Sequence, residues 1–402
     1  MIRRATASTL LGLGLLVSGA SAVEVSPVVN AQLLGGQYFY NANTNAFGAI
    51  AGLSASPYMK FNDQWSLVPL YSGTYNGTQQ VQDLIGGGTL FQESQDHNAS
   101  LKLIRSFSNG LKLKALGAYG AEYLRETKDE KWGGGLYDNR RTSGGAEAEW
   151  SWDKDRYVRF AYDYYAIRFP NYTSLESQGG ASLGRELNAP NVLNTHNHAL
   201  TLGSEVALPL NGFLESSLSY TWSHFGSEHL VDQEGALEPD VRDDQTEALS
   251  LSGTWPVSVN PDWKLFTSLG YTWAHVYSNQ NHYDAEKVFF DPNYYSTVTQ
   301  TLQNQWTLAV GSDPWTLALG WTLSHQQYAN RLTQDANGNY GADATHVNGL
   351  ATSLTFSYPI AKGFHVLAQG QFGWNDSNNH DNLVYQYHYN TQTYLAGFSY
   401  AY

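Results

Sequence analysis

The segment TYLAGFSYAY, residues 393–402, is the part of the sequence that decides the fold. An apolar or aromatic residue stands at every second position, and the positions between are mostly small or polar. The alternating set is Tyr394, Ala396, Phe398, Tyr400 and Tyr402. A period of two puts successive side chains on opposite faces of a strand, so this segment predicts a β-strand with one aromatic face.

The same alternation recurs along the chain, and it separates two chemically different faces. SLSYTWS (217–223) and WTLALGWTLS (315–324) set leucine, tyrosine and tryptophan against serine, threonine and small residues. GAEAEWSW (145–152) sets alanine and tryptophan against glutamate and serine. The repeated pattern predicts an all-β chain in which each strand has one apolar and one polar face.

Short turns and longer polar stretches divide these strands at a spacing close to 50 residues. The turns are predicted at Asn62 and Asp63 and at residues 108–110, 153–155, 209–212, 260–262, 312–314 and 361–363. Polar stretches of about 14 to 25 residues lie between consecutive turns. Seven turns and eight loops make fifteen connections, which predicts about 16 strands, within a range of 14–18.

The contrast between the two strand faces favours a membrane-spanning barrel over other repetitive β architectures. A β-propeller or a β-solenoid is also repetitive, but a propeller blade buries both of its sheet faces. An apolar face opposite a polar face suits lipid on the outside and water on the inside. We therefore predict a transmembrane antiparallel up-and-down β-barrel over residues 23–402, with short periplasmic turns and long extracellular loops.

The first 22 residues have the pattern of a secretory signal peptide. Arg3 and Arg4 precede an apolar run at residues 10–17, and the small-residue triplet Ala20, Ser21, Ala22 follows. The run is too short to span a bilayer as a helix. Residues 1–22 are therefore predicted to be removed during export.

The sequence resembles the bacterial outer-membrane β-barrel superfamily, and in particular its porin-like members. The resemblance lies in three features: the signal peptide, the alternation of short turns with long loops, and the aromatic last strand. The resemblance implies a location in the outer membrane, among outer-membrane lipid and lipopolysaccharide. It also implies that the barrel-assembly machinery reads the last strand, with Tyr394, Phe398, Tyr400 and Tyr402 as the assembly signal. Closure requires this strand to pair with the first strand, around Ala31–Tyr40.

The amino-acid composition indicates how the chain is stabilised and which class of partner it disfavours. The chain has no cysteine, so its stability comes from packing and hydrogen bonds instead of disulfides. Its formal charge is −14, and removing Arg3 and Arg4 makes that −16. A strongly acidic protein is a poor partner for nucleic acid.

Charged residues on the predicted lumen face cluster on one wall. We predict a pore-lining charged wall on consecutive strands: Lys102, Lys112, Lys114, Glu122, Glu147, Glu149, Arg159, Asp163, Glu205 and Glu215. With Lys264, the inward positive and negative charges nearly cancel, so strong ion selectivity is not expected. The wall either orients solutes and sets ion preference or serves as a salt-bridge ladder that stiffens the sheet.

Three loops have sequences that suggest special roles. Arg185 and Glu186 lie between glycines in residues 169–194, the longest loop, and could form a constriction. Residues 228–247 read as an acidic loop. DANGNYGAD (335–343) lacks the glycine and glutamate of a calcium-binding loop, so a hairpin tip is the better interpretation.

No catalytic site, metal site or cofactor is predicted. A lipid hydrolase on a barrel wall needs histidine and serine on one strand face, yet His275 and Ser278 are three residues apart and fall on opposite faces. His224 and Ser227 fail in the same way. The pair at His196 and His198 is interpreted as polar rim residues, because His97 stands at the equivalent repeat position.

The sequence thus predicts a passive channel, or porin, for small hydrophilic solutes, including ions. Two alternatives remain open: an export or assembly barrel that works with periplasmic partners, and a surface scaffold or adhesin with a blocked lumen. A homotrimer and a monomer are equally compatible with the sequence.

Overall fold

A computed structural model describes residues 23–41, 44–82, 89–126, 129–153, 156–173, 185–187, 189–260, 262–381 and 387–402. In this part of the chain no helix is long and apolar enough to cross a membrane. The strands are β1 (Glu24–Ser26), β2 (Val29–Tyr40), β3 (Thr44–Ala55), β4 (Tyr58–Lys60), β5 (Trp65–Gln82), β6 (Thr89–Ser106), β7 (Leu111–Arg125), β8 (Asn139–Asp153), β9 (Arg156–Arg168), β10 (Thr195–Leu208), β11 (Gly212–Val231), β12 (Leu237–Asn260), β13 (Trp263–Ser278), β14 (His282–Asp284), β15 (Phe289–Asp291), β16 (Thr297–Val310), β17 (Trp315–Gln334), β18 (Tyr340–Ala361), β19 (Phe364–Ser377) and β20 (Tyr389–Ala401). A 3-10 turn covers Arg185–Leu187.

Sixteen of these strands form one closed antiparallel barrel, as the sequence predicted. The seam lies between the first and last barrel strands, β2 and β20, which pair from Asn30 opposite Ala401 to Tyr40 opposite Thr391. This confirms the pairing expected for Ala31–Tyr40. Because β20 also pairs with β19 and β2 with β3, the barrel has no open edge at the seam.

Five predicted tight turns lie in full within the described residues and connect paired strands, including residues 107–110 between β6 and β7 and residues 362–363 between β18 and β19. In the other two, Lys154, Asp155 and Pro261 lie outside the described residues. The short strands β1 and β4 pair with each other at the same edge. The predicted signal peptide, residues 1–22, lies outside the described residues.

Several predicted loops are shorter than expected because the strands continue past the apolar band. The acidic stretch 228–247 is not a loop: β11 runs to Val231, β12 begins at Leu237, and only residues 232–236 connect them. The extension carries register shifts near His229, and its polar residues do not alternate with apolar ones. A hydrogen-bonded backbone ladder holds the hairpin above the band without that alternation. Residues 335–339 connect β17 and β18 as the predicted hairpin tip.

The apolar side of the alternation faces outward. Large hydrophobic side chains along the strands are solvent-exposed, for example Leu33 at 60%, Leu218 at 54% and Phe398 at 56%. A side chain that packed against an internal core would not be exposed to this degree. The exposed band is therefore the surface that meets hydrocarbon, and the residues between face the lumen.

Candidate functional site

The lumen face carries a ladder of ion pairs on β7, β8 and β9. Lys114 Nζ lies 2.5 Å from a carboxylate oxygen of Glu147 and 2.5 Å from one of Glu149. Lys112 Nζ lies 2.7 Å from the other oxygen of Glu149, and Arg159 reaches Glu147 at 3.5 Å. Opposite charges on neighbouring strands stabilise their pairing. Each charge of the ladder is thus largely offset by a neighbour on the same wall.

The other predicted wall residues face inward like the ladder, but they do not form its chain of alternating ion pairs. Glu205 and Glu215 are direct cross-strand partners on β10 and β11. Glu122 accepts a 2.7 Å hydrogen bond from the Asn139 side-chain amide. The two remaining members of the set, Lys102 on β6 and Asp163 on β9, alternate with exposed Leu101 and Tyr162 and therefore face inward as well.

Two further lumen residues escaped the sequence interpretation. Arg141 shares the inward side of β8 with Glu147 and Glu149, and its guanidinium lies 3.9 Å from the ring centre of Tyr165. Asp96 lies opposite Glu122 and accepts a 3.1 Å hydrogen bond from the Thr74 hydroxyl. Extending the alternation beyond the middle of each strand would have found both.

The opposite wall of the lumen is built mainly from uncharged residues, although Lys264 on β13 also faces inward. A cavity of about 410 Å³ lies against β13, β16, β17, β18, β19 and β20. The polar side chains around it are amides and hydroxyls. They are Ser268, Gln303, Gln305, Thr322, Ser353, Gln371, Thr391 and Thr393. The cavity offers hydrogen bonds to neutral solutes, and none of its described lining residues is charged.

Folded connections lie at the outer end of the barrel. We call them the cap: residues 129–138, 169–173, 185–187, 189–194 and 279–296. Glu186 joins two of them, because its side chain is fully buried and pairs with His282 at 2.8 Å and the Tyr295 hydroxyl at 3.2 Å. The prediction that Glu186 lines an aqueous constriction is therefore wrong: desolvation and these partners make it a structural anchor. Arg185 begins the 3-10 turn, and its side chain lies outside the described residues.

A buried ion network holds the cap to β11 and β12. Arg242 lies 3.2 Å from Glu228 and 2.7 Å from Asp244, and its guanidinium also stacks on the rings of Phe225 and Tyr295 at 4.3 and 4.1 Å. Glu228 is completely buried, and that burial raises its pKa to about 7. Burial likewise raises the pKa of Asp291, in β15, to about 6.

A second arginine anchors the neighbouring part of the cap. Arg331 on β17 is buried, and its guanidinium lies 4.8 Å from the ring centre of Tyr294 and 4.9 Å from that of Tyr328. It donates a 2.7 Å hydrogen bond to the Tyr387 hydroxyl. Stacking over several aromatic rings stabilises this buried guanidinium, which forms no ion pair with a carboxylate among the described residues.

The part of the cap over β7 to β10 contains buried apolar side chains that form one cluster with Leu124 of β7. The members are Leu124, Tyr137, Phe169, Tyr172, Leu187, Val192 and Leu193. Because both halves of the cap are well packed, the cap is a defined piece of structure over the mouth of the barrel.

The histidines predicted as rim residues lie on the outer face of the barrel. His196 and His198 pair with the hydroxyls of Tyr164 and Tyr162 at 2.7 and 2.8 Å, and these tyrosines are exposed. His97 pairs with Tyr71 in the same way at 3.0 Å. These contacts form part of an aromatic belt at the outer edge of the apolar band.

The two candidate histidine and serine pairs do not assemble a hydrolase site. Ser278 is completely buried, and its hydroxyl accepts a hydrogen bond from the Gln280 amide. The neighbour of Ser278, Tyr277, is exposed on the outer face, which His275 shares by alternation. His224 binds Asp243 at 2.8 Å.

These observations define the class of protein. A closed barrel satisfies its backbone hydrogen bonds internally, which lets it span lipid, and an apolar exterior around a polar interior matches that environment. Short turns at one edge and larger connections at the other are typical of bacterial outer-membrane proteins. The chain is a transmembrane β-barrel of this type, and the outer membrane is its location.

No protein-family model and no curated protein matches the chain. Solved structures of similar shape include OmpT of Vibrio cholerae in its trimer form, at 12% identity and a TM-score of 0.46, covering 95% of this chain and 100% of that one. OccD3 of Pseudomonas aeruginosa matches at 10% identity and a TM-score of 0.47, over 95% and 93% of the two chains. BamA from Haemophilus ducreyi matches at 11% and 0.43, over 94% and 70%. The fold assignment rests on the strand order and register described above.

Proposed function

We propose that this barrel is a passive channel that carries small hydrophilic solutes across the outer membrane. The observation that supports the proposal best is the contrast between the two lumen walls. One wall holds charges that are paired with one another, and the facing wall holds amides and hydroxyls around an open cavity. A lumen of this kind stays hydrated and is easily crossed by polar molecules.

The mechanism follows from these groups. A solute exchanges hydrogen bonds with water for hydrogen bonds with the facing wall, including those of Gln303, Gln305 and Gln371, so its desolvation is offset along the path. The ladder around Lys114 orients the dipole of a passing solute through its alternating charges. Because these charges cancel locally, ions of either sign pass with only a weak preference.

Reconstitution into planar lipid bilayers tests the proposal. The folded barrel should give discrete conductance steps, with a reversal potential close to zero in a salt gradient. Barrel unfolded by heating before reconstitution serves as the control. If correctly folded protein inserts into the bilayer but passes neither ions nor neutral solutes in a liposome-swelling assay, the channel proposal is wrong.

A second candidate function is a surface scaffold with a blocked lumen, and the cap is the observation that favours it. Anchors such as Arg242 and Arg331 hold the cap in one conformation over the mouth. Inserted protein that stays silent in bilayers, and that starts to conduct once the cap is removed, would support this function over the channel.

A further inference from the structure

The outer face of the barrel carries an unusual juxtaposition of two arginines near the capped end. Arg140 on β8 and Arg168 on β9 are direct cross-strand partners, and both side chains are exposed. Like charges directly opposite each other destabilise strand pairing. Among the described residues, neither arginine forms an ion pair with a carboxylate within 4.0 Å.

Both arginines point away from the lumen. Tyr164, four residues before Arg168 on the same strand, is exposed on the lipid-facing side and holds His196 by its hydroxyl. A spacing of four keeps Arg168 on that face, and Arg140 shares it as the direct partner of Arg168. The pair therefore lies just beyond the aromatic belt, at the depth of lipid headgroups.

A cavity of about 470 Å³ opens between these arginines and the start of β10. It is lined by Arg140, Ile167, Arg168, Pro170, Asn191, Asn194, His196, Gly226 and Ser227. No carboxylate is among these described lining residues, although the whole chain is strongly acidic. The volume lies within the range of small-ligand sites, roughly 300–1,000 Å³.

Asp138, an acidic residue two positions before Arg140, has other partners. Asp138 is buried, and its two carboxylate oxygens accept hydrogen bonds from the backbone amides of Leu124 and Gly135 at 2.8 and 3.1 Å. The Asn171 side chain adds a third donor at 3.3 Å. Asp138 thus serves the backbone of the connection between β7 and β8 and leaves the arginine forks facing the cavity.

We propose that this cavity binds the phosphate group of an outer-leaflet glycolipid, with Arg140 and Arg168 as its two principal ligands. A guanidinium matches a phosphate with two parallel hydrogen bonds, and two such groups on adjacent strands can share one dianion. The bound phosphate would also offset the repulsion between the arginines. The apolar face below the site, including Tyr162 and Tyr164, continues into the region that the acyl chains occupy.

The test compares three forms of the full-length barrel, purified in detergent and analysed by native mass spectrometry. They are the wild type, R140Q/R168Q, and the control R156Q, which removes an exposed arginine at the tight-turn end of the same strand β9. The probe is a phosphorylated glycolipid, and the comparison lipid is the same molecule after enzymatic removal of its phosphates. Migration on unheated electrophoresis gels verifies that each variant is folded.

Wild type and R156Q should bind the phosphorylated lipid at least about tenfold more tightly than R140Q/R168Q does, since two charge-assisted contacts are lost. The dephosphorylated lipid should show no such difference. If the double glutamine variant fails to fold, R140K/R168K replaces it in the comparison. This variant keeps the charge but not the two parallel hydrogen bonds of each guanidinium, so it should retain only part of the affinity. Equal binding of both lipids by the wild type would overturn the proposal. So would displacement of the lipid by millimolar inorganic phosphate, which would assign the cavity to a free anion.

Discussion

At the scale of single residues, Lys114 is the centre of the lumen ladder. It is the one lysine of the described ladder that bonds two glutamates, and only 17% of its side chain is exposed. Replacing it by methionine leaves Glu147 and Glu149 close together with one cation fewer. We expect K114M to lower the free energy of unfolding by about 1–3 kcal/mol.

The same substitution should shift the channel's preference towards cations, because it removes one positive charge from the lumen wall. The measurement is the reversal potential in a salt gradient, beside urea unfolding of both proteins. The matched control is K60M, whose partner Asp63 is almost fully exposed at the turn edge. Surface pairs of that kind contribute little, so K60M should change neither quantity. An unchanged reversal potential for K114M would show that the ladder does not face the conduction path.

Glu228 gives the cap a defined dependence on pH. Burial raises the pKa of Glu228 from 4.5 to about 7, so between these values the folded barrel holds a proton that the unfolded chain has released. Stability therefore falls as the pH rises through this window, by up to about 3 kcal/mol. Asp291 acts in the same direction because burial raises its pKa as well.

Thermal unfolding in detergent checks this sign. The wild-type Tm should be higher at a pH of about 5 than at about 8, and E228Q should show a clearly smaller difference, since glutamine does not titrate. A residual slope is expected from Asp291, and E228Q/D291N should reduce it further. A wild-type Tm that rises towards high pH would contradict the assignment.

At the scale of strands, the seam between β2 and β20 is packed too tightly for side chains at two glycines. A Cβ atom on Gly36 would overlap the carbonyl oxygen of Tyr394, and one on Gly397 would overlap that of Leu33. Either overlap forces the two strands apart where the barrel must close. We expect G36A and G397A each to leave most of the protein unfolded or open at the seam.

The control for the seam is G52A on the adjacent strand β3, since a Cβ on Gly52 meets no atom within 4 Å. It should fold like the wild type. The fraction that migrates as a compact barrel on unheated gels measures the outcome for all three variants. Full folding of G36A would mean that the seam can relax and that register alone closes the barrel.

The same strands show what the sequence could predict and where it stopped. Alternation identified the sixteen strands and the pairing of β20 with the first barrel strand, because lipid contact imposes a strict period of two. Where a strand continues beyond the lipid bilayer, its sequence no longer has to alternate between apolar and polar residues. The paired extensions of β11 and β12, with acidic Glu228 and Asp244, therefore looked like a loop. Turn residues at 232–236 were the remaining signal.

The cap escaped prediction for a different reason. Its anchors are contacts between residues far apart in sequence, such as Glu186 with His282 and Arg331 with Tyr387. No local pattern encodes a pair of this kind, and polar loop residues look the same whether they are solvated or buried. The ladder was easier to anticipate, because its members lie on neighbouring strands at matching heights.

At the scale of the whole molecule, the cap should decide how large a solute the channel admits. The connection 279–296 supplies His282, Tyr294 and Tyr295, which contact the anchors of the cap. The backbone amide of Ser278 donates a 3.0 Å hydrogen bond to the Ser296 hydroxyl, so the two ends of this connection already lie close together. Replacing residues 280–295 by an Asn-Gly turn would thus keep β13 and β16 paired while it removes the cover.

We expect this deletion to raise the single-channel conductance severalfold and to admit larger neutral solutes in liposome swelling, since the lumen would open directly to the outside. The control is N337S at the exposed tip between β17 and β18, which should conduct like the wild type. If the deletion variant folds and inserts but conducts no better than the wild type, the narrowest part of the path lies below the cap. The lumen walls around Lys114 and Gln303 would then set the size limit instead.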